Sequence, residues 1–385
     1  MMRYITEQDF EYAVACRRYL HRHPETGFDL DNTVAFVRGE LDKLGIVWGE
    51  AGPSSVTGYI GPADAACTIG IRADMDALPV LEKSGLPYAS EIPGKMHACG
   101  HDSHTANLLT VARILKRHEA EMKVRVKLLF QPSEECLTSG AKSMVDHGAA
   151  DDVDFVVMAH CTNDLPAGTI GYRVGPLGAA CDTVTIVFSG KTAHAALPEQ
   201  GVDAIAMAVE AYTALKRIAA EEAGTDIRYI FGMNYLHGGT AHNVVSDRCE
   251  LQISFRYYDM AFAARIKERC MAKCREIAAS IGGQVEIEWK MVVPPVINDE
   301  AVMARLMPAI EGASQGKMQT IPARMSSDDF SWFLLKKPGA AFRFGTRNEA
   351  IGCDTAGHGN DFRIDERGME NAIETFVTLA MGTEG

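Results

Sequence analysis

No stretch of the chain is apolar for the roughly 18–20 residues that a membrane-spanning helix needs. The opening residues, MMRYITEQDFEYAVACRRYLHRHPE, contain no apolar run followed by a small-residue cleavage site, so no secretory signal is expected and the expected location is the cytoplasm. A basic excess is also missing. Lys and Arg number 38 against 51 Asp and Glu, for a net charge of -13, which argues against nucleic acid as a partner. The ten cysteines include no CxxC pair. In a large chain without a signal that spacing argues against a disulfide framework. Cys16, Cys67, Cys181 and Cys249 lie in apolar surroundings and are expected to be buried thiols, as are Cys270 and Cys274, one helical turn apart. No internal repeat or low-complexity tract is visible.

What is present is a globular composition, 47% hydrophobic and 23% charged, in 385 residues. That length exceeds what one hydrophobic core usually supports, so two domains are expected. In the first half, helical patterns (FEYAVACRRYLHRHPE, NTVAFVRGELDKLG, HTANLLTVARILKRHEAEM) alternate with strand patterns (CTIGIRADMDAL, VRVKLLFQPSEE, DFVVMAHC). This alternation predicts an α/β domain with a mostly parallel sheet sandwiched by helices. From about Cys181 the order becomes β-α-β-β-α-β, the ferredoxin-like arrangement, before a helix, a Gly-rich strand and a last helix return. The expected organisation is a discontinuous α/β domain, residues 1–178 and 292–385, with residues 179–291 inserted into it.

Strand ends of such a sheet are where side chains converge. RADMDALP supplies Asp74 and Asp76. MHACGHDSHTANLL supplies His97, Cys99, His101, Asp102 and His104. QPSEE supplies Glu134 and Glu135, VVMAHC supplies His160, and TAGHGNDF supplies His358. Singly, each has a structural explanation: a capping histidine, a charged loop, a turn-closing aspartate. Jointly they suit a pair of metal ions. Cys99 and His101, two apart, would both point inward from an irregular loop before a helix. A thiolate with imidazoles suits zinc, and a carboxylate such as Glu135 also admits manganese, cobalt or nickel. Glu134 beside it would be the general base acting on a metal-activated water. Asp102 and His104 would open the following helix, where an acidic group suits the dipole, and His97 has no assigned role.

RADMDALP, MHACGHDSHTANLL, QPSEE, GKTAHAALP, SSDDF and GHGNDF, in that order over nearly the whole chain, closely resemble the co-catalytic metal aminoacylase and carboxypeptidase family. Within it they are similar to the branch of hippurate hydrolases, N-acyl-amino-acid amidohydrolases and plant indole-3-acetyl-amino-acid hydrolases. The resemblance implies a di-zinc peptidase-like catalytic domain and a lid and dimerisation domain. It implies two divalent metal ions per chain, with Cys99, His101, Glu135, His160 and His358 as ligands and Cys99 bridging. It further implies Glu134 as base, Asp76 orienting a ligand, and His194 reaching the partner subunit's site to stabilise an oxyanion. Asn243 and Arg256 would hold the substrate. The implied reaction is hydrolysis of an N-acyl amino acid by a homodimer or dimer-based oligomer, with a dipeptidase or carboxypeptidase as the alternative; no nucleic acid or membrane partner is expected. Two readings of other classes stay open: a hydrolase with Cys99 as nucleophile and His101 or His97 as base, and a non-catalytic metal-binding protein.

Four departures mark the lining. Relatives usually have Ala at Ser133 and GSEDF where this chain has SSDDF, Ser326 to Phe330. They often place a proline two or three residues after His160, and they carry His-Ser/Asn-Pro-x-Phe where this chain reads His-Gly-Asn-Asp-Phe from His358.

Overall fold

The computed structural model describes residues 3–382. Contacts divide the chain into two units: 1–177, 296–323 and 329–385 form the first, and 178–295 with 324–328 the second. The first unit runs α1 (Glu7–Arg22), α2 (Asp31–Lys43), β1 (Trp48–Gly49), β2 (Val56–Ile60), β3 (Thr68–Asp74), α3 (His101–Arg117), β4 (Arg125–Gln131), α4 (Gly140–Asp146), β5 (Phe155–Pro166), β6 (Ile170–Tyr172) and β7 (Gly175–Gly178). The second contains β8 (Ala180–Ser189), α5 (Ala204–Ala223), β9 (Ile230–Gly238), β10 (Arg248–Tyr257), α6 (Met260–Ile281) and β11 (Gln284–Val293). The first then resumes with β12 (Val296–Asn298), α7 (Glu300–Ser314), β13 (Met318–Thr320), α8 (Ser331–Leu334), β14 (Gly339–Arg347) and α9 (Met369–Gly382).

The first unit's sheet has the order β1-β2-β4-β3-β5-β14-β6-β13. Its centre, β4-β3-β5-β14, is parallel, and β2 and β6 join it antiparallel. Period-two alternation along β5 fills both layers. Phe155, Val157 and Ala159 enter the core that also holds side chains of α1, α2, α3, α7 and α9, while Val156 and Met158 face α4 and α8. Parallel strands aligned this way bring the loops after β3, β4, β5 and β14 to one edge of the sheet.

The second unit is an antiparallel sheet of order β11-β8-β10-β9, with α5 and α6 sharing its core. Asp203 and Asp259 cap those helices by accepting two backbone N–H groups each. Gly282 ends α6 in the left-handed region. Two expectations need correction. His101 does not lie in a loop but is the first residue of α3, because Gly100, with φ 87°, turns the chain sharply enough for the helix to start there. Cys181 is half-buried rather than buried, since it alternates on β8 with the core-facing Ala180 and Asp182.

Candidate metal centre

Six of the residues singled out above converge at the sheet edge. Donor atoms of Cys99, His101 and His160 lie within 4.8 Å of one another, and so do those of Cys99, Glu135 and His358. Cys99 belongs to both groups. A third group of the same compactness joins His101, Glu134 and Glu135. Cys99 Sγ is 3.5 Å from His160 Nε2, and His358 Nε2 is 3.2 Å from Glu135 Oε1.

The outer hydrogen bonds decide which atoms face inward. His101 Nδ1 donates to the Asp76 carbonyl at 2.8 Å, and His160 Nδ1 donates to the Cys161 carbonyl at 2.7 Å. Both rings therefore turn Nε2 inward, the nitrogen that an imidazole so anchored offers to a metal. Asp76 also accepts the Glu134 N–H at 3.0 Å on one oxygen and the Glu135 N–H at 3.1 Å on the other. One aspartate thus sets the backbone of the acidic pair and the ring of His101. Ser133, at φ 52°, makes the turn ahead of them, with Oγ donating to the Thr138 carbonyl at 2.7 Å.

The residues fit a pair of divalent cations. His101 Nε2 and Glu135 Oε1 are buried without a hydrogen-bond partner, although a carboxylate oxygen and an imidazole nitrogen stand close by. Burial disfavours a charged His101, but the Asp74 carboxylate acts against it, and the pKa is raised well above the usual histidine value. The field that holds a proton there would also hold a cation. Burial, with Glu135 and Glu134 adding to it, pushes the Cys99 thiol well above its ordinary pKa against the pull of His101. A cation would displace that proton. The same shift disfavours Cys99 as an unaided nucleophile, which needs a depressed pKa.

The remaining histidines of the opening stretch separate. His104 has both nitrogens engaged: Nδ1 donates to Asp74 at 2.6 Å and Nε2 accepts the Cys161 N–H at 2.9 Å. It braces His160 through the adjoining backbone. His97 is buried, and burial lowers its pKa to about 3, so it is neutral. Asp102 is not simply a dipole partner. Its carboxylate lies 2.8 Å from Arg17 Nε and 2.7 Å from His21 Nδ1.

Residues not anticipated from the sequence hold this frame. Arg72 is fully buried and reaches Gln131 Oε1 at 2.7 Å, Asp74 at 2.6 Å and Asp329 at 3.0 Å. Asp329 also accepts from Ser139 Oγ at 2.7 Å and from the Ala141 N–H at 3.1 Å. The signal for Asp329 was its place in SSDDF. Asn163, on β5, also went unnoticed, and its signal was the missing proline after His160.

In the second unit, His194 and Asn243 are neighbours and exposed. The Ala195 N–H donates to the Asn243 carbonyl at 3.0 Å, and His194 pairs with Val244 in an isolated bridge. Arg256 lies at the other end of that sheet. Its Nη1 donates to the Met325 carbonyl at 2.9 Å and to Ser327 Oγ at 3.2 Å, so the guanidinium holds the 324–328 segment on this unit.

A sheet edge carrying paired donor groups and a carboxylate beside them is arranged for hydrolysis by a metal-activated water. Residues 70–382 match the model of Peptidase family M20/M25/M40, and the chain belongs to that family. It is 35% identical over 362 residues to "N-acetyl-L-cysteine deacetylase" of Bacillus subtilis strain 168, covering 93% of this chain and 85% of that protein. It is 33% identical over 381 residues to "IAA-amino acid hydrolase ILR1-like 4" of Arabidopsis thaliana, covering 96% and 85%. The crystal structure of Bacillus subtilis YXEP, described as a dinuclear metal binding peptidase, superimposes with a TM-score of 0.82 at 30% identity, covering 98% of both chains.

Proposed function

We propose that this amidohydrolase uses two divalent cations, zinc or manganese with nickel or cobalt as substitutes, to release an amino acid from its N-acyl derivative. The observation that carries the reading is the pair of donor groups sharing Cys99, with Glu134 beside them. One cation would be held by Cys99, His101 and His160, the other by Cys99, Glu135 and His358. When bound, the ions lower the pKa of a water and polarise the scissile carbonyl. Glu134 accepts the water's proton and returns it to the leaving nitrogen. Asp76 keeps the Glu134 backbone and the His101 ring in register.

His194 Nδ1 accepts the Ala196 N–H at 3.1 Å, so a neutral ring carries its proton on Nε2, ready to donate to a developing oxyanion. Asn243 and Arg256 bind polar groups of the substrate, Arg256 suiting a carboxylate. In the β8–β10 register, Arg248 pairs with Ser189 and Arg256 with Cys181. The His194 loop follows Ser189, so it lies roughly 26 Å along the strand from Arg256. One copy of the second unit does not present both to a single substrate. A homodimer would, with His194 and Asn243 from one chain and Arg256 from the other. The second unit, residues 178–295 with 324–328 where the sequence suggested 179–291, would then be the lid and dimerisation domain. Its edge strand β9 exposes Ile230, Tyr235 and Leu236, and α5 exposes Val209 and Tyr212, which favours this surface as the contact between copies. None of the ten cysteines is in a disulfide, which fits a reducing cytoplasm, and no described helix is long and apolar enough to cross a membrane.

The test is Glu134→Ala, assayed on N-acetyl, N-benzoyl and indole-acetyl amino acids alongside dipeptides. Metal content should remain at two ions per chain while kcat falls by about 10²–10⁴. Unchanged turnover would remove Glu134 as the base. Activity surviving complete chelation would instead point to the Cys99 nucleophile.

A further inference from the structure

His358 sits on a loop with little intrinsic rigidity. Gly357 and Gly359 flank it, and its own backbone adopts φ 68°. Glycines lose more conformational freedom on ordering than other residues, so such a loop resists being fixed. Its ring nevertheless stands 3.2 Å from Glu135 Oε1 while remaining 57% exposed, so packing around the ring does not hold it there.

The loop is braced from β5. Asn163 Nδ2 donates to the Thr355 carbonyl at 2.8 Å and to the Arg363 carbonyl at 2.8 Å. Its Oδ1 accepts from Thr346 Oγ1, on β14, at 2.8 Å. A single amide therefore ties both ends of the His358 loop together and anchors the knot to the sheet. The orientation of the amide follows from its partners, because both loop groups are carbonyl oxygens that only the NH₂ can serve. Between these ends, the His358 N–H donates to the Ala98 carbonyl at 2.8 Å, one residue before Cys99. Asn163 is also three residues beyond His160. The strand that carries a donor of one group thus carries the brace for a donor of the other.

We propose that Asn163 is a positioning residue, which holds the loop closed so that His358 completes the cation site it forms with Cys99 and Glu135. This rests on reading His358 as a ligand. The experiment strips the protein of metal and titrates manganese or zinc against a chromophoric chelator, for wild type, His358→Ala, Asn163→Ala and the double variant. Wild type should bind two equivalents, and His358→Ala should lose tight binding of one. Asn163→Ala should weaken that same equivalent by about 10–100-fold, the range for groups that orient metal ligands, and leave the other unchanged. The double variant should bind like His358→Ala alone. Asn163→Ser keeps one donor and should fall between, which guards against an unfolded Ala variant; thermal melts of the metal-free proteins check the fold. Wild-type affinity at both positions in Asn163→Ala, with one lost in His358→Ala, would overturn the proposal and leave the ligand reading standing. Equal weakening of both positions would also overturn it. Two wild-type equivalents in His358→Ala would overturn the ligand reading and the proposal together.

Discussion

Asp9 shows how much one side chain's charge depends on its neighbours. Its carboxylate closes a capping box with Thr6 at the start of α1 and pairs with Arg117 at 2.9 Å. Burial raises its pKa, but the hydrogen bonds from Arg117 and Thr6 outweigh this and bring it to about 2. The folded value lies below the unfolded one, so the carboxylate contributes stability above about pH 4 and loses it as pH falls towards 2. Because Arg117 is 42% exposed, solvent screening keeps that contribution to at most about 2 kcal/mol. Thermal melts of wild type and Asp9→Asn should therefore differ most above pH 4 and converge near pH 2. A difference that grows on acidification would reject this account. At this scale, donor types were legible: Cys99, His101, Glu135, His160 and His358 stand out as sulfur, nitrogen and oxygen donors at strand ends. Their supports were not. That His104 serves Asp74 and the Cys161 backbone, or that Asn163 reaches Thr355, depends on contacts far apart in the chain, with no local pattern to announce them.

Among the elements, the start of α3 carries the most. Its cap, Gly100, offers no side chain, and Asp102 in its first turn is buried against Arg17 and His21 of α1. Removing Asp102 leaves Arg17 to Glu366 and His21 to Glu82, each at 3.2 Å, and strips the shorter of the two contacts from each. Asp102→Ala should destabilise the protein by about 3–5 kcal/mol in chemical denaturation. Replacing both partners, Arg17→Met with Asp102→Leu, should recover a good part of that loss; a double variant as weak as the single one would show that the pair is not the source. The existence of α1, α2, α3 and α9 follows from their apolar periodicity. The start of α3 at His101 does not, because it depends on a left-handed glycine. Pro166 closing a strand as long as β5 also escaped the local pattern. The return of residues 324–328 to the second unit rests on the Ala179 N–H, which donates to the Arg324 and Ser326 carbonyls, and on Arg256, contacts that no local pattern could reveal.

For the whole molecule, the decisive question is whether each site is built from two chains. The opposite-end placement of His194 and Arg256 on one sheet makes this testable by mixing. His194→Ala and Glu134→Ala should each be nearly inactive alone. Unfolded together and refolded, they should regain about a quarter of wild-type activity, since half of the dimers are mixed and each mixed dimer has one intact site. No recovery, with mixed dimers demonstrated by tags, would mean that His194 serves its own chain. Fold class was legible at this scale because alternating β and α patterns, followed by β-α-β-β-α-β, admit few topologies.

Gly100 has one more consequence, which belongs to heredity rather than to geometry. A Cβ at this position would collide with Cys161 Sγ, and its φ of 87° is one that other residues rarely adopt. It joins Cys99 to His101 and presses on the neighbour of His160, so the collision would spread to three candidate donors at once. A chain that inherits any missense change at codon 100 therefore inherits a disturbance of the candidate metal centre.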